Sequence, residues 1–131
     1  MRQLRDNQGC YVCGTSNPSG LGVIFHVDNE SRTIQGRFTP SPAYQGFEGI
    51  IHGGILSTLL DEAMVKLAFS LGIPAVSVEI TVSFKSPAAP GDELTITGRL
   101  NQEHRRLIEA EAKIKHNAVL IAEAKGKLLK V

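Results

Sequence analysis

The 131-residue chain has no tryptophan, and aromatic residues make up only 5% of it. That scarcity argues against a surface that binds single strands by stacking their bases. Its charges nearly cancel, at 14 Lys and Arg against 13 Asp and Glu, so no bulk field draws it to nucleic acid or a membrane. No apolar run is long enough to cross a bilayer, and the opening MRQLRDNQG lacks the apolar core of a signal peptide. A cytoplasmic location is the expectation. With 42% apolar residues, the length suits one globular domain with a modest core. No internal repeat, linker or low-complexity segment divides it.

Cysteine is equally sparse. Cys10 and Cys13 form a lone C-x-x-C, which is half a zinc site, a redox motif or two packed thiols. Structural zinc needs four ligands, and no second C-x-x-C or C-x-x-H follows. The redox reading wants the motif at a helix start, whereas Gly14, Asn17, Pro18 and Gly20 signal a turn. Two packed thiols with no metal are therefore expected, and a zinc site shared between subunits is the alternative.

What the chain does have is one long amphipathic segment. From Tyr44 to Leu71 it runs through a glycine-punctuated loop (Gly46, Gly49) into His52-Gly53-Gly54 and then a helical pattern. Leu56, Leu59, Leu60, Ala63, Met64, Leu67, Ala68 and Leu71 recur at three- and four-residue spacings, a single buried stripe. Ser57, Thr58, Asp61 and Ser70 fall off it, and Gly72 with Pro74 ends it.

The remaining pattern is of strands. Residues 1–20 read as an irregular leader ahead of a domain over 21–131. Leu21 to Asp28 and Thr33 to Phe38 form a hairpin across Asn29-Glu30-Ser31. After the helix, Val76, Val78, Ile80, Val82 and Phe84 alternate with Ser77, Glu79, Thr81, Ser83 and Lys85, a half-buried strand. Leu94 to Leu100 alternates likewise. Residues 106–130 carry helix-favouring Ala, Glu and Lys, yet strict alternation at Ile108, Ala110, Ala112 and Ile114 predicts two strands turning near His116-Asn117. The order is β-β-α-β-β-β-β, an α+β fold with one helix against an antiparallel sheet. Ala110, Ala112, Ala122, Ala124 and Gly126 leave room for a helix or second subunit to approach that sheet.

This arrangement resembles the hotdog-fold thioesterases, and among them the PaaI-like acyl-CoA thioesterases, over nearly the whole chain. The resemblance rests on His52-Gly53-Gly54 with Asp61 nine residues after the histidine, and on Leu60-Asp61-Glu62-Ala63-Met64. Val76-Ser77-Val78 with Ser86-Pro87 adds to it, as does the leader Cys10-x-x-Cys13-Gly14…Asn17-Pro18-x-Gly20-Leu21. It implies hydrolysis of an acyl-CoA thioester without metal or cofactor. On the family pattern the Gly53 backbone N–H polarises the carbonyl and Asp61 is base or nucleophile. His52 shapes the loop, and Ser77 places water or the carboxylate. Where many relatives have an asparagine six residues before the histidine, this chain has Gly46, with Gln45 beside it as a stand-in. Gln45, Gly54, Thr58 and Lys85 are further substrate-contact candidates, with Arg105 and Arg106 as possible partners of the CoA phosphates.

Elementary physics supports the same roles. A helix N-terminus presents unpaired N–H groups and the positive end of the helix dipole. Glycines there let a carbonyl reach the backbone, and a partly desolvated carboxylate can activate water or attack. Gly53 and Asp61 lie eight residues apart, about 12 Å along a helix axis. A homodimer or tetramer with sites split between subunits is therefore expected. The competing readings are a non-catalytic acyl-CoA-binding module, Glu62 in place of Asp61, and a hotdog hydratase. The last lacks its Asp-x4-His pattern.

Overall fold

A computed structural model of the protein describes residues 3–131. Its elements follow the expected order: β1 (Ile24–Asp28), β2 (Thr33–Phe38), helix α1 (Gly53–Ser70), β3 (Ala75–Phe84), β4 (Leu94–Glu103), β5 (Leu107–His116) and β6 (Val119–Lys130). A short 3-10 turn at Pro42–Tyr44, unforeseen from the sequence, precedes the helix. The six strands form one antiparallel sheet in the order β1-β2-β4-β5-β6-β3. Among the described residues, no helix is long and apolar enough to cross a membrane.

The helix forms where periodicity placed it, and its stripe is the core. Leu59, Leu60, Ala63, Met64, Leu67 and Ala68 are fully enclosed. Burying a leucine in this way is worth about 1.5–3 kcal/mol. The helix stops in a Schellman motif, in which Gly72 N–H donates to Phe69 O and Ile73 N–H to Ala68 O. Gly72 takes φ +81°, a conformation glycine adopts without strain. Beneath the helix the small residues of β5 and β6 are buried as expected. A Cβ at Gly126 would stand 2.8 Å from Met64 Cε, so a glycine there admits the methionine.

Two strand expectations need correction. The first strand begins at Ile24 rather than Leu21, because Gly22 at φ +71° breaks the extended run. Leu21 N–H and Val23 N–H instead bond to Tyr11 O and Val12 O of the leader. The second concerns β3, whose apolar residues were expected to share one buried face. A bulge between Ser77 and Glu79 shifts its register against β6. Val76 pairs with exposed Leu129, whereas Ile80, Val82 and Phe84 pair with the buried Gly126, Ala124 and Ala122. Directly opposed residues point to the same side of a sheet, so the bulge divides the apolar set between two faces. As an edge strand, β3 is also poorly covered: Val76, Val78, Ile80 and Phe84 are all exposed.

Candidate active site

The loop before α1 is built to present a helix N-terminus. Ile51 N–H donates to Ala88 O and His52 N–H to Tyr44 O, which fastens the loop to its surroundings. Gln45 Oε1 accepts from Gly49 N–H at 3.1 Å, and Gly46 N–H from inside the loop donates to Ile50 O. His52 is the N-cap: its Nδ1 accepts from Gly54 N–H at 2.8 Å. The cap satisfies one of the N–H groups that a helix start otherwise leaves unpaired. An accepting Nδ1 also fixes the ring tautomer, with the proton on Nε2. Thr58 Oγ1 donates back to Gly54 O, within the helix.

At the helix terminus itself these contacts leave one donor unspent. Among the described residues the Gly53 N–H finds no acceptor, although its neighbours on both sides do. It lies at the positive end of an 18-residue helix, with the Phe84 ring 3.4 Å from where a Cβ would be. The sequence reading missed Phe84. Its sign was faint, an aromatic closing a strand just before Ser86-Pro87.

Asp61 is half-buried on α1, and among the described residues its enclosed Oδ1 has no hydrogen-bond partner. Leaving such an acceptor unpaired costs roughly 1–3 kcal/mol, so it is a polar group for which the rest of the chain provides no bond. The helix holds this oxygen some two turns from Gly53, about 12 Å along its axis. A free donor and an unpartnered carboxylate oxygen thus lie on one helix, too far apart within one chain to meet on one carbon.

Residues 48–119 match the sequence profile of the thioesterase superfamily. The chain belongs to that superfamily. Its helix and six-stranded antiparallel sheet are the hotdog fold. Bovine acyl-coenzyme A thioesterase THEM4 is 29% identical over 86% of this chain and 48% of its own length. Mouse acyl-coenzyme A thioesterase 13 is 32% identical over 59% of this chain and 58% of its own. The chain thus spans about half the length of these curated relatives. Among solved structures, the Escherichia coli PaaI protein of the phenylacetic acid degradation operon superposes with a TM-score of 0.78. It is 24% identical and covers 85% of this chain and 80% of its own. A Streptococcus mutans protein solved bound to acetyl CoA gives 0.76 at 18% identity, covering 83% and 86%.

Within this thioesterase-superfamily chain the other expected residues fall into groups. Gln45, His52, Gly53, Gly54 and Thr58 gather at the start of α1. Gly46 sits against His52, its missing Cβ 3.4 Å from the ring. Ser77 pairs with buried Leu128, so it lies on the helix-facing side of the sheet, the side that Ile80, Val82 and Phe84 share beyond the bulge. Strict alternation had set it opposite them. Lys85 is exposed and 4.0 Å from Glu123. Arg105 and Arg106 lie before β5, by the Gly72–Pro74 end of the helix, so one chain does not bring them to Lys85.

Glu62 is already engaged, since Cys10 Sγ lies 3.2 Å from its Oε2. On an ideal helix it points about 100° away from Asp61. The two cysteines are free and half-buried. Desolvation, and then the Glu62 carboxylate, push the Cys13 thiol up to about 12. A thiol held protonated in this way is a poor nucleophile, which speaks against the redox reading.

Proposed function

We propose that this protein hydrolyses acyl-CoA thioesters to the free acid and CoA. Gly53 N–H is the oxyanion donor, and Asp61 is the base that activates water or the nucleophile that attacks the carbonyl. The observation that carries this reading is the unspent Gly53 N–H at a histidine-capped helix terminus, on the same helix as the unpartnered Asp61 Oδ1. As the thioester carbon becomes tetrahedral, its oxygen gains negative charge, and a preorganised N–H strengthens its bond as that happens. His52 holds Gly54 N–H and thereby the loop; Gln45 braces the same loop. Ser77 positions the attacking water or the carboxylate from the helix-facing side of β3. Gly54 and Thr58 line the approach to the carbonyl, and Lys85 meets a CoA phosphate. Residues 21–131 form the hydrolase unit, with 1–20 as its leader, working in the cytoplasm without a cofactor in the chemistry.

Each site is assembled from two copies of the chain. Asp61 of one protomer faces Gly53 of its partner across a two-fold axis, which builds two identical sites. The exposed apolar residues of edge strand β3, among them Val78 and Phe84 at 56% exposure each, supply the surface that such pairing covers. A dimer or a dimer of dimers satisfies this geometry.

The direct test is thiol release across a panel of aromatic, medium-chain and long-chain acyl-CoAs, with Asp61→Asn beside the native protein. Turnover that the nearly isosteric variant loses, with fold and assembly intact, is the expected result. Acyl-CoA binding without thiol release by the native protein would replace the hydrolase reading with a binding module. Full turnover by the variant would transfer the role to another carboxylate.

A further inference from the structure

The leader and the central helix together build a cluster that the thioester chemistry does not use. Cys10 Sγ, Cys13 Sγ and a carboxylate oxygen of Glu62 all lie within 4.8 Å of one another. The sequence showed only the two sulfurs; the fold supplies the third group from 49 residues beyond Cys13. The geometry points to a divalent zinc-type cation bound by these three side chains, with the fourth position open to solvent.

Several features mark the cluster as a ligand set rather than two thiols packed by chance. The turn that carries them is tight: Gly14 N–H bonds to Cys10 O at 2.9 Å, which puts both sulfurs on one side. Val12 N–H points at Cys10 Sγ at 3.4 Å, which holds that sulfur in place against the turn. Only glycine fits after Cys13, since a Cβ at Gly14 would lie 2.4 Å from Cys10 N and 2.5 Å from Gln8 O. Bonds from Ser16 N–H to Gln8 O and from Leu21 N–H to Tyr11 O brace the turn from outside.

The distances suit a tetrahedral ion. Zn–S near 2.3 Å and Zn–O near 2.1 Å put a sulfur and an oxygen ligand about 3.6 Å apart, and two sulfurs about 3.8 Å apart. The Cys10–Glu62 separation of 3.2 Å needs an opening of only a few tenths of an ångström. Two thiolates and a carboxylate around a dication leave one negative charge, and Lys66 Nζ, 3.5 Å from Cys13 Sγ, offsets it. Sulfur ligands select a borderline-soft cation over magnesium or calcium. Beside the cluster a pocket of about 430 Å³, bordered by Asp6, Asn7 and Gly9, has space for water or one further ligand in the fourth position. Such an ion would fasten the leader to α1 one residue from Asp61.

The test needs no activity readout, so its outcome is independent of the hydrolase reading. Untagged native protein, exchanged into metal-free buffer after exposure to zinc, is expected to hold about one zinc per chain by elemental analysis. Cobalt titrated into zinc-stripped protein should give intense tetrahedral visible bands with thiolate-to-cobalt charge transfer in the near ultraviolet. Cys13→Ser should abolish the charge-transfer pattern of a two-thiolate site. Glu62→Gln should weaken cobalt binding by about tenfold or more, with circular dichroism confirming that both variants fold. Native protein that takes up neither metal while both thiols titrate as free would overturn the proposal. So would a Cys10–Cys13 disulfide, seen as a mass about 2 Da lower. Cobalt affinity unchanged by Glu62→Gln would remove the carboxylate, and with it the site as described.

Discussion

Replacing Gly53 by proline separates the oxyanion donor from everything else the residue does. Proline deletes the backbone N–H, and in this protein that N–H serves no internal bond among the described residues. Gly53 is the first helical residue, the position in a helix that best accepts proline. The residue before a proline must be extended, and His52 already is, at φ −59° and ψ 131°. A Cβ at 53 meets the Phe84 ring at 3.4 Å, an ordinary contact. The fold should therefore hold or gain about 0.4–1 kcal/mol from the stiffer unfolded chain, with Tm moving up by no more than about 5 °C. Turnover is expected to fall by about 10²–10³, the usual loss for one oxyanion donor. Gly53→Ala adds the same Cβ but keeps the N–H, so it should stay within a few-fold of the native rate. Acyl-CoA hydrolysis followed by thiol release, with thermal melts on all three proteins, reads both quantities. Native kcat in a stably folded Gly53→Pro protein would refute the reasoning. Equal losses in the Ala and Pro variants would trace the effect to crowding against Phe84 and not to the donor.

Further predictions concern assembly and packing. Mixing Gly53→Pro with Asp61→Asn under verified subunit exchange should restore roughly a quarter of native activity, because half the dimers are mixed and each holds one intact site; no recovery would place the whole site in one chain. Gly126→Val should destabilise the protein by about 1–3 kcal/mol in urea titrations, since its Cβ falls 2.8 Å from the enclosed Met64 side chain. A truncating change at Met64 should be less costly in the Gly126→Val background than alone, a non-additivity that a double-mutant cycle measures. On the acid side, Lys130 and then Arg32 hold the Glu103 carboxyl below its ordinary value of 4.5. Its pairing therefore supports the fold above that value and is lost as pH falls through the lowered one. Glu103→Gln should flatten this part of the stability–pH curve at low salt and change little at high salt, because the pairs are surface-exposed.

Local pattern alone set the elements and marked the glycine-rich start of the helix as a candidate site. Period-two and three-to-four spacing follow from how side chains leave a strand or a helix, so the stripe from Leu56 to Ala68 and the final hairpin were legible residue by residue. The glycines after His52 were legible too, because close approach to the backbone is a local requirement that glycine meets, whereas the cap made by His52 Nδ1 came from the folded loop. Whatever depends on partners distant in the chain waited for the folded molecule. Alternation assumes unbroken register, and the bulge at Ser77–Glu79 arises only from pairing with β6, so the side that Ser77 faces was not available from spacing. The place of β3 at the sheet edge, with its apolar residues uncovered, came from strand order. Glu62 looked like a neighbour of Asp61 until folding carried the Cys10–Cys13 turn onto its side of the helix. Nearness in sequence placed the two acids together; about 100° of helical rotation gave them different surroundings.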